Sequence, residues 1–492
     1  MKKQKKSQMH RNKVTKTIKS IIGRKEKSFK QKITIVIIDI TKKKWTPGVL
    51  INKGETIMDV LKNKIPIPTS RQEEWADMEL GVIIHHCMET YHPDVPLSEW
   101  KSSPEKMPAE SFTPIDENTD QWLEAAAKAG AKYAVFVANH TTGFSMWPTK
   151  ENKYSIESSP YMDGKADIVR DFIQSCKKYG IKPGLYYSTS CNGYYKIDDS
   201  KKMDYESEDY QKYVRIVERQ LIEIWENYGE LFELWFDGGI VPKKEGGPDI
   251  VNLIRKYQPN AICFQGPEEH FQNLRWVGNE RGLAPMDCWA TSKRNTCGYG
   301  GDEEDDVVGI GSPDGQYWIP AETDMGNRRQ EAFGGGWEWK ENEEHLVYPP
   351  EELLERYLTS VGRNSNLLLG MCISQRGLFE DTEQFEQFGK LVKDVYKDPV
   401  VSCNGTGNEF ALELPKSEQV RYLIMQEDIH YGERVRKFKV EIRTEDGWKP
   451  CFEAHCIGHK RIVPLNKSIS GVRLIIEEAV DMPIIKNMVL YR

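Results

Sequence analysis

The sequence lacks the signatures of several large functional classes. No GxGxxG or GxxxxGK motif follows any strand-like apolar run, so the glycine loops that cradle phosphates are missing. No apolar run reaches the roughly twenty residues a membrane helix needs. The run Ile33–Ile40 (ITIVIIDI) is only eight residues long and contains Asp39. It follows a basic segment in the order of a signal peptide, but Lys42, Lys43 and Lys44 come next and no small-x-small cleavage site is present. A soluble chain is therefore expected, with no membrane insertion and with its compartment left open between cytoplasm and secretion by an unrecognised route. The ten cysteines form no CxxC pair, which argues against zinc-finger spacing and against a dense disulfide frame. Free buried thiols are expected; Cys451–Cys456 and Cys288–Cys297 are the pairings open to a secreted protein. Asn139, Asn404 and Asn466 head glycosylation-type triplets, a pattern common by chance.

Charge is present but segregated. Residues 1–32 carry thirteen Lys/Arg against Glu26, a net +12, and the rest of the chain sums to −19. The acidic remainder argues against a nucleic-acid partner. The basic head has little that could pack and is expected to be disordered. The chain's 492 residues and 13 tryptophans are enough for two domains with a sizeable core.

From about residue 66 to 396, short apolar runs alternate with amphipathic ones. Strands are expected at Val82–His86, Lys132–His140, Lys182–Ser188, Phe232–Asp237, Ala261–Gln265, Tyr317–Asp324 and Asn366–Cys372. Helices are expected at Thr119–Ala129, Asp167–Lys178, Tyr205–Tyr228, Asp249–Tyr257 and Pro350–Val361. Near-continuous apolar strands alternating with helices imply a parallel sheet covered by helices, and the length favours a closed (β/α)8-like barrel. The loop-rich stretch Gly266–Asp314 resists placement of barrel strands. Past Asp398, short alternating β-branched runs predict an antiparallel β-sandwich. The domain reading is a basic extension over 1–65, a catalytic barrel over 66–396 and a C-terminal sandwich over 397–492.

The stretch FELWFDGGIV at 232–241 places Asp237 at the end of an apolar strand, followed by two glycines that let the backbone turn away. Barrel sites lie at the C-terminal strand ends. His85 and His86, His140, and Tyr186, Tyr187 and Ser188 end three other strands. A metal could be held by such a ring, yet His85–His86 is a poor chelating pair, because adjacent strand residues face opposite ways. Carbohydrate fits better, since sugar sites combine carboxylates, His and Tyr hydrogen bonds and aromatic platforms. A glycosidase needs a second carboxyl group with a partly apolar wall. Glu280 in LRWVGNERG, beside Trp276 and Val277, ranks only slightly above Glu322, with Glu268, Glu269, Asp287 and Asp324 also open.

Several separated pieces, PIPTSRQEEW, VIIHH, ANHTTGFSMWP, GLYYS, LWFDGG, RWVGNERG, SPDGQYWIPAETD and SVGRNSNLLL, jointly resemble glycoside hydrolase family 29, the retaining α-L-fucosidases. The resemblance runs from about Pro66 to the C-terminus. It implies Asp237 as nucleophile and Glu280 as acid/base, the latter in the manner of the α-1,3/1,4-fucosidase subgroup. It implies fucose binding by His85, His140, Tyr186 and Trp235, with Glu99 and Trp100 of the SEW piece also carried over. No cofactor and no metal are implied, and the partner is a fucosylated glycan. The stretch from Val420 on looks like an appended galactose-binding-like domain, which is expected to act as a buttress. Where the family usually reads HHDGF, this chain has His140-Thr141-Thr142-Gly143-Phe144. His86 replaces an aromatic and Cys87 a glycine. These departures keep open a second reading, a catalytically weak or silent fucose-binding protein.

Overall fold

The computed structural model of the chain describes residues 65–100, 104–295 and 307–492 and, within residues 1–64, four short strands. Ile33–Ile35 pairs antiparallel with Val49–Ile51, and Ile38–Asp39 with Lys44–Trp45. This stretch belongs to a unit separate from 65–492. The basic segment 1–32, read above as disordered, lies outside the described residues.

In the larger unit, eight parallel strands close into a barrel in sequence order. They are β1 (Leu80–His85), β2 (Tyr133–Asn139), β3 (Lys182–Tyr187), β4 (Glu233–Trp235), β5 (Ile262–Phe264), β6 (Asn273–Trp276), β7 (Ala321–Met325) and β8 (Ser365–Cys372). Strand β8 pairs back onto β1, with Cys372 opposite His85. The reason for burial on both faces is legible in β2. Tyr133, Val135 and Val137 pack inside the barrel, while Ala134, Phe136 and Ala138 join the larger core under the helices. Period-two alternation thus serves two cores at once.

The helices of eight residues or more among the described residues are α1 (Ser70–Met78), α2 (Thr119–Ala129), α3 (Ile168–Tyr179), α4 (Glu208–Asn227), α5 (Ile250–Tyr257), α6 (Pro350–Ser360) and α7 (Thr382–Val395). Helix α1 starts with a capping box between Thr69 and Gln72, and α2 stops at Gly130 in a left-handed conformation. No helix separates β5 from β6; a loop of eight residues does.

Strand β6 lies in the stretch read from sequence as loop. Its four residues, Asn-Leu-Arg-Trp, lack an apolar run, because Asn273 and Arg275 are buried with backbone partners of their own. The expected strand Tyr317–Asp324 divides in two. Tyr317–Trp318 pairs antiparallel with Thr291–Ser292, and Ala321–Met325 is the barrel strand.

The C-terminal region is antiparallel, as expected. Its strands β9 (Pro399–Thr406), β10 (Glu409–Glu427), β11 (Val435–Thr444), β12 (Gly447–Ala454), β13 (Arg461–Ala479) and β14 (Ile484–Tyr491) form one ladder in the order β9-β14-β10-β13-β11-β12. The two 19-residue strands break register between Glu413 and Glu418. Both halves feed one core, with Phe410 and Leu412 on one side of the break and Val420 and Leu423 on the other.

This domain is tied to the barrel by buried polar contacts. Glu433 accepts from Ala290 N at 3.0 Å and from Asn364 Nδ2 at 2.5 Å. Lys460 pairs with Glu79, and Arg461 Nη1 donates to Met286 O at 2.8 Å. Of the glycosylation-type asparagines, Asn404 and Asn466 are exposed. Asn139 is buried, and its Nδ2 donates to Gly143 O and Phe144 O.

Candidate active site

The C-terminal strand ends gather the polar residues singled out by sequence and sort them by face. His85 points into the barrel mouth, with its ring 5.8 Å from His140 and 5.2 Å from Trp337. His86 points the other way. Its Nε2 lies 3.0 Å from Tyr91 Oη, its Nδ1 stands 3.2 Å from Glu117, and its ring packs on Phe112. The same alternation places Tyr186 inward, while Tyr187 turns outward to hydrogen-bond Gln220 of α4. His86 and Tyr187 are therefore parts of the outer core.

Tyr186 Oη donates to Asp237 Oδ2 at 2.9 Å, and its ring stacks on Trp235 at 5.2 Å. Trp235 stacks in turn on Phe264, and its Nε1 donates to Glu322 Oε2 at 3.1 Å. Asp237 leaves the strand through Gly238 and Gly239, both with φ above +70°. A Cβ at Gly238 would meet Ser190 Oγ at 3.0 Å, and that hydroxyl donates to the carbonyl of Asp237. The two glycines thus allow the turn and the close approach that fix the carboxylate.

Glu280 sits on the exposed loop after β6. The partner of its Oε2 is Trp337, whose Nε1 donates at 3.2 Å. Trp276, expected to wall Glu280, instead donates through Nε1 to Asp324 Oδ1 at 2.8 Å. Asp324 is buried, and burial holds its carboxyl well above the ordinary range. The Trp276 hydrogen bond opposes this, while the charges of Glu280, Glu322 and Asp237 add to it. Asp324 thus stands electrostatically among the two sequence-derived acids and Glu322.

His140 is held by Glu89, whose Oε1 lies 2.7 Å from Nδ1. Burial would lower the basicity of His140. The Glu89 carboxylate outweighs it, Glu338 and Asp237 add to the effect, and the imidazole is pushed up to about 9. His85 goes the opposite way, driven well below its ordinary value by burial and by the charge of His140. Glu338 is pushed up to about 8 by burial and by Glu89, against His140.

Glu99 pairs with Lys106, and Trp100 packs edge-on against Phe333 at 5.5 Å. Trp100 therefore supports the loop that presents Trp337 and Glu338. Among the competing acids, Glu322 is sealed below the mouth by Tyr133 Oη at 2.7 Å and by Trp235. Asp287 binds His455 of the C-terminal domain. Sequence spacing showed no metal ligand set. The fold nevertheless draws Cys87, Glu89, His140 and Glu338 together, with ligand atoms all within 4.8 Å of one another.

The family model described as Alpha-L-fucosidase matches residues 62–394. The chain belongs to this family. It is 28% identical over 481 residues to Alpha-L-fucosidase 1 of Arabidopsis thaliana, covering 87% of this chain and 88% of that one. A crystal structure from Bacteroides thetaiotaomicron VPI-5482 superposes with a TM-score of 0.81 at 31% identity, over 87% of this chain and all of that one. A Ruminococcus gnavus GH29 fucosidase in complex with fucose shares the fold, with a TM-score of 0.72 at 21% identity over 87% of this chain and 95% of that one. The barrel and the antiparallel C-terminal domain expected from sequence are the architecture found here. Among the described residues, no helix is long and apolar enough to cross a membrane.

Glu89, Trp337 and Glu338 are the site residues that sequence reasoning passed over. Trp337 is one of eleven tryptophans between residues 66 and 396, with nothing in the sequence to single it out. Glu338 lies between two of them, in WEW, and an acid flanked by indoles is a usable signal. Glu89 comes four residues after His85, in a turn whose geometry no periodicity predicts.

Proposed function

We propose that the chain is a retaining exo-glycosidase that removes terminal α-L-fucose, α-1,3/1,4-linked, from glycans by double displacement. The observation carrying this reading is an unbroken chain of contacts across the mouth. Trp337 holds Glu280 and packs on His85; His85 meets His140; His140 meets Tyr186 at 5.8 Å; and Tyr186 bonds Asp237. One acid on a strand end and one on the loop after β6 are thereby linked through the side chains of the mouth.

In the first step Asp237 Oδ1, the oxygen not engaged by Tyr186, attacks the anomeric carbon. The glycosidic C–O bond breaks, and its oxygen takes the proton of Glu280. In the second, Glu280 takes a proton from water, the water oxygen attacks the same carbon, and Asp237 leaves. His85, in its neutral form, and His140 hold hydroxyls. Trp235, stacked behind Tyr186, or Trp337 offers an apolar face to the sugar methyl group. All proton transfers use side chains of this chain.

The catalytic unit is assigned to residues 66–396. Residues 397–492 act as a buttress, a role supported by Glu433, Lys460 and Arg461 at its junction with the barrel. The replacement at Thr141 favours one second reading, a fucose-binding protein with weak turnover. Hydrolysis of a panel of aryl glycosides tests both. Turnover of the α-L-fucoside well above other deoxyhexosides is expected; equal use of another sugar defeats the fucosidase reading, and binding without turnover selects the second. A carboxyl separation of about 5–5.5 Å in a fucose complex is the matching geometric expectation.

A further inference from the structure

Beside the proposed sugar site lies a cluster of which the hydrolytic reading uses only His140. Cys87, Glu89, His140 and Glu338 bring one thiol, one imidazole and two carboxylates together, each ligand atom within 4.8 Å of the others. They come from three different places in the fold: the turn after β1, the end of β2 and the loop after β7. Cys87, Glu89 and Glu338 are buried. Part of the cluster is satisfied internally. His140 Nδ1 faces Glu89 Oε1, and Thr90 Oγ1 donates to Glu338 Oε2 at 3.1 Å. The other oxygen of each carboxylate, Glu89 Oε2 and Glu338 Oε1, is buried without a hydrogen-bond partner. Two buried carboxyl groups with orphaned oxygens, beside a thiol, are costly unless a cation or shared protons neutralise them.

We infer that Cys87, Glu89, His140 and Glu338 form a binding site for a zinc-class divalent ion, set behind the sugar pocket. The donor set of one sulfur, one nitrogen and two oxygens suits borderline-soft Zn2+, whereas Mg2+ and Ca2+ take oxygen ligands alone. Tetrahedral zinc with bonds of about 2.0–2.3 Å sets its ligand atoms roughly 3.3–3.8 Å apart, so pairs at the 4.8 Å limit close by about 1.0–1.5 Å and the 2.7 Å contact of Glu89 with His140 opens slightly. On binding, the Cys87 thiol forms the sulfur–metal bond and releases its proton to solvent, and any proton held by the carboxyl pair leaves likewise. His140 coordinates through Nδ1, which leaves its hydrogen on Nε2. That ring nitrogen is then a fixed donor rather than a group free to change tautomer. The site itself does not depend on the identity of the sugar.

The test uses the full chain, stripped of metal with a chelator and titrated with Co2+ and then Zn2+. Wild type is expected to bind one equivalent of Co2+, with a near-ultraviolet thiolate band and the strong visible bands of tetrahedral cobalt, both lost when Zn2+ displaces it. Cys87→Ser abolishes the thiolate band, and Glu338→Gln weakens binding by at least about 10-fold. Absence of saturable binding by wild type overturns the site, as does a thiolate band that survives Cys87→Ser or one that disappears instead with Cys456→Ser. Far-ultraviolet circular dichroism checks folding of each variant. Should Cys87→Ser not fold, Glu338→Gln decides alone, unchanged affinity counting against the site. Because the readout is metal binding, its failure is distinguishable from failure of the fucosidase reading, which rests on substrate turnover.

Discussion

Two pairs of buried carboxyl groups occupy the same barrel and are held differently. In its lower half, Glu233 faces Glu322, and the partners of Glu322 are a phenol, Tyr133, and an indole, Trp235. Burial pushes both carboxyls up, Glu322 to about 7, against its hydrogen bonds from Tyr133 and Trp235. At the mouth, Glu89 and Glu338 face His140, which stays cationic up to about 9. The lower pair is neutralised by protons inside a sealed core. The upper pair has a cation, the part-exposed His140; orphaned oxygens do not separate the two pairs, because both oxygens of Glu233 also lack a partner. Burial of acids alone therefore does not mark a site; the kind of counter-charge and the access to solvent do. Trp235 links the two layers, bonding Glu322 below while stacking under Tyr186 above.

The sharpest way to break this distinction is at Asp237. Asp237→Ala is expected to lower kcat about 10³-fold or more, because binding and the remaining acid cannot replace a nucleophile. Steady-state kinetics on an aryl fucoside measure it, and retention of more than roughly a tenth of wild-type rate would move the nucleophile elsewhere. Next in size is Glu280→Gln, with an expected loss of about 10²-fold on natural glycans and much less on activated aryl fucosides. An equal loss on both classes removes the acid role. Smaller still is Trp337→Phe. It keeps the ring beside His85 and deletes the Nε1 hydrogen bond to Glu280, so kcat should fall about 10-fold, the worth of one hydrogen bond to a charged group. An unchanged kcat would show that Glu280 is positioned by other contacts.

Much of this mouth was legible because strand periodicity is rigid. Once Val82–His86 is a barrel strand, His85 and His86 must face opposite ways, and only one of them can reach the cavity. Asp237 was legible for the same reason, helped by the two glycines that only a turn with positive φ requires. What stayed hidden depends on contacts between distant loops. The pairing of Trp337 with Glu280 spans 57 residues, and that of Glu89 with His140 spans 51. Strand β6 was hidden for another reason: its buried Asn273 and Arg275 satisfy backbone carbonyls of neighbouring loops, so a core strand reads as polar.

The lower pair supplies the smallest expected effect and the clearest control. A carboxyl whose folded value is raised holds its proton in the native state at pH values where the unfolded chain has lost it. Stability from such a group is fully present below the unfolded value of 4.5 and is lost as pH rises through about 7. Glu322→Gln removes this dependence, because an amide has no proton to lose. The amide oxygen can face Trp235 Nε1 while its nitrogen donates to the Tyr133 hydroxyl, so the packing survives. The drop in unfolding free energy between pH 5 and pH 8 should therefore shrink by on the order of 2 kcal/mol, with kcat close to wild type. Denaturant unfolding at the two pH values measures the first part and the aryl fucoside assay the second. A variant whose pH slope equals that of wild type would show that the proton held by the pair resides on Glu233 rather than on Glu322.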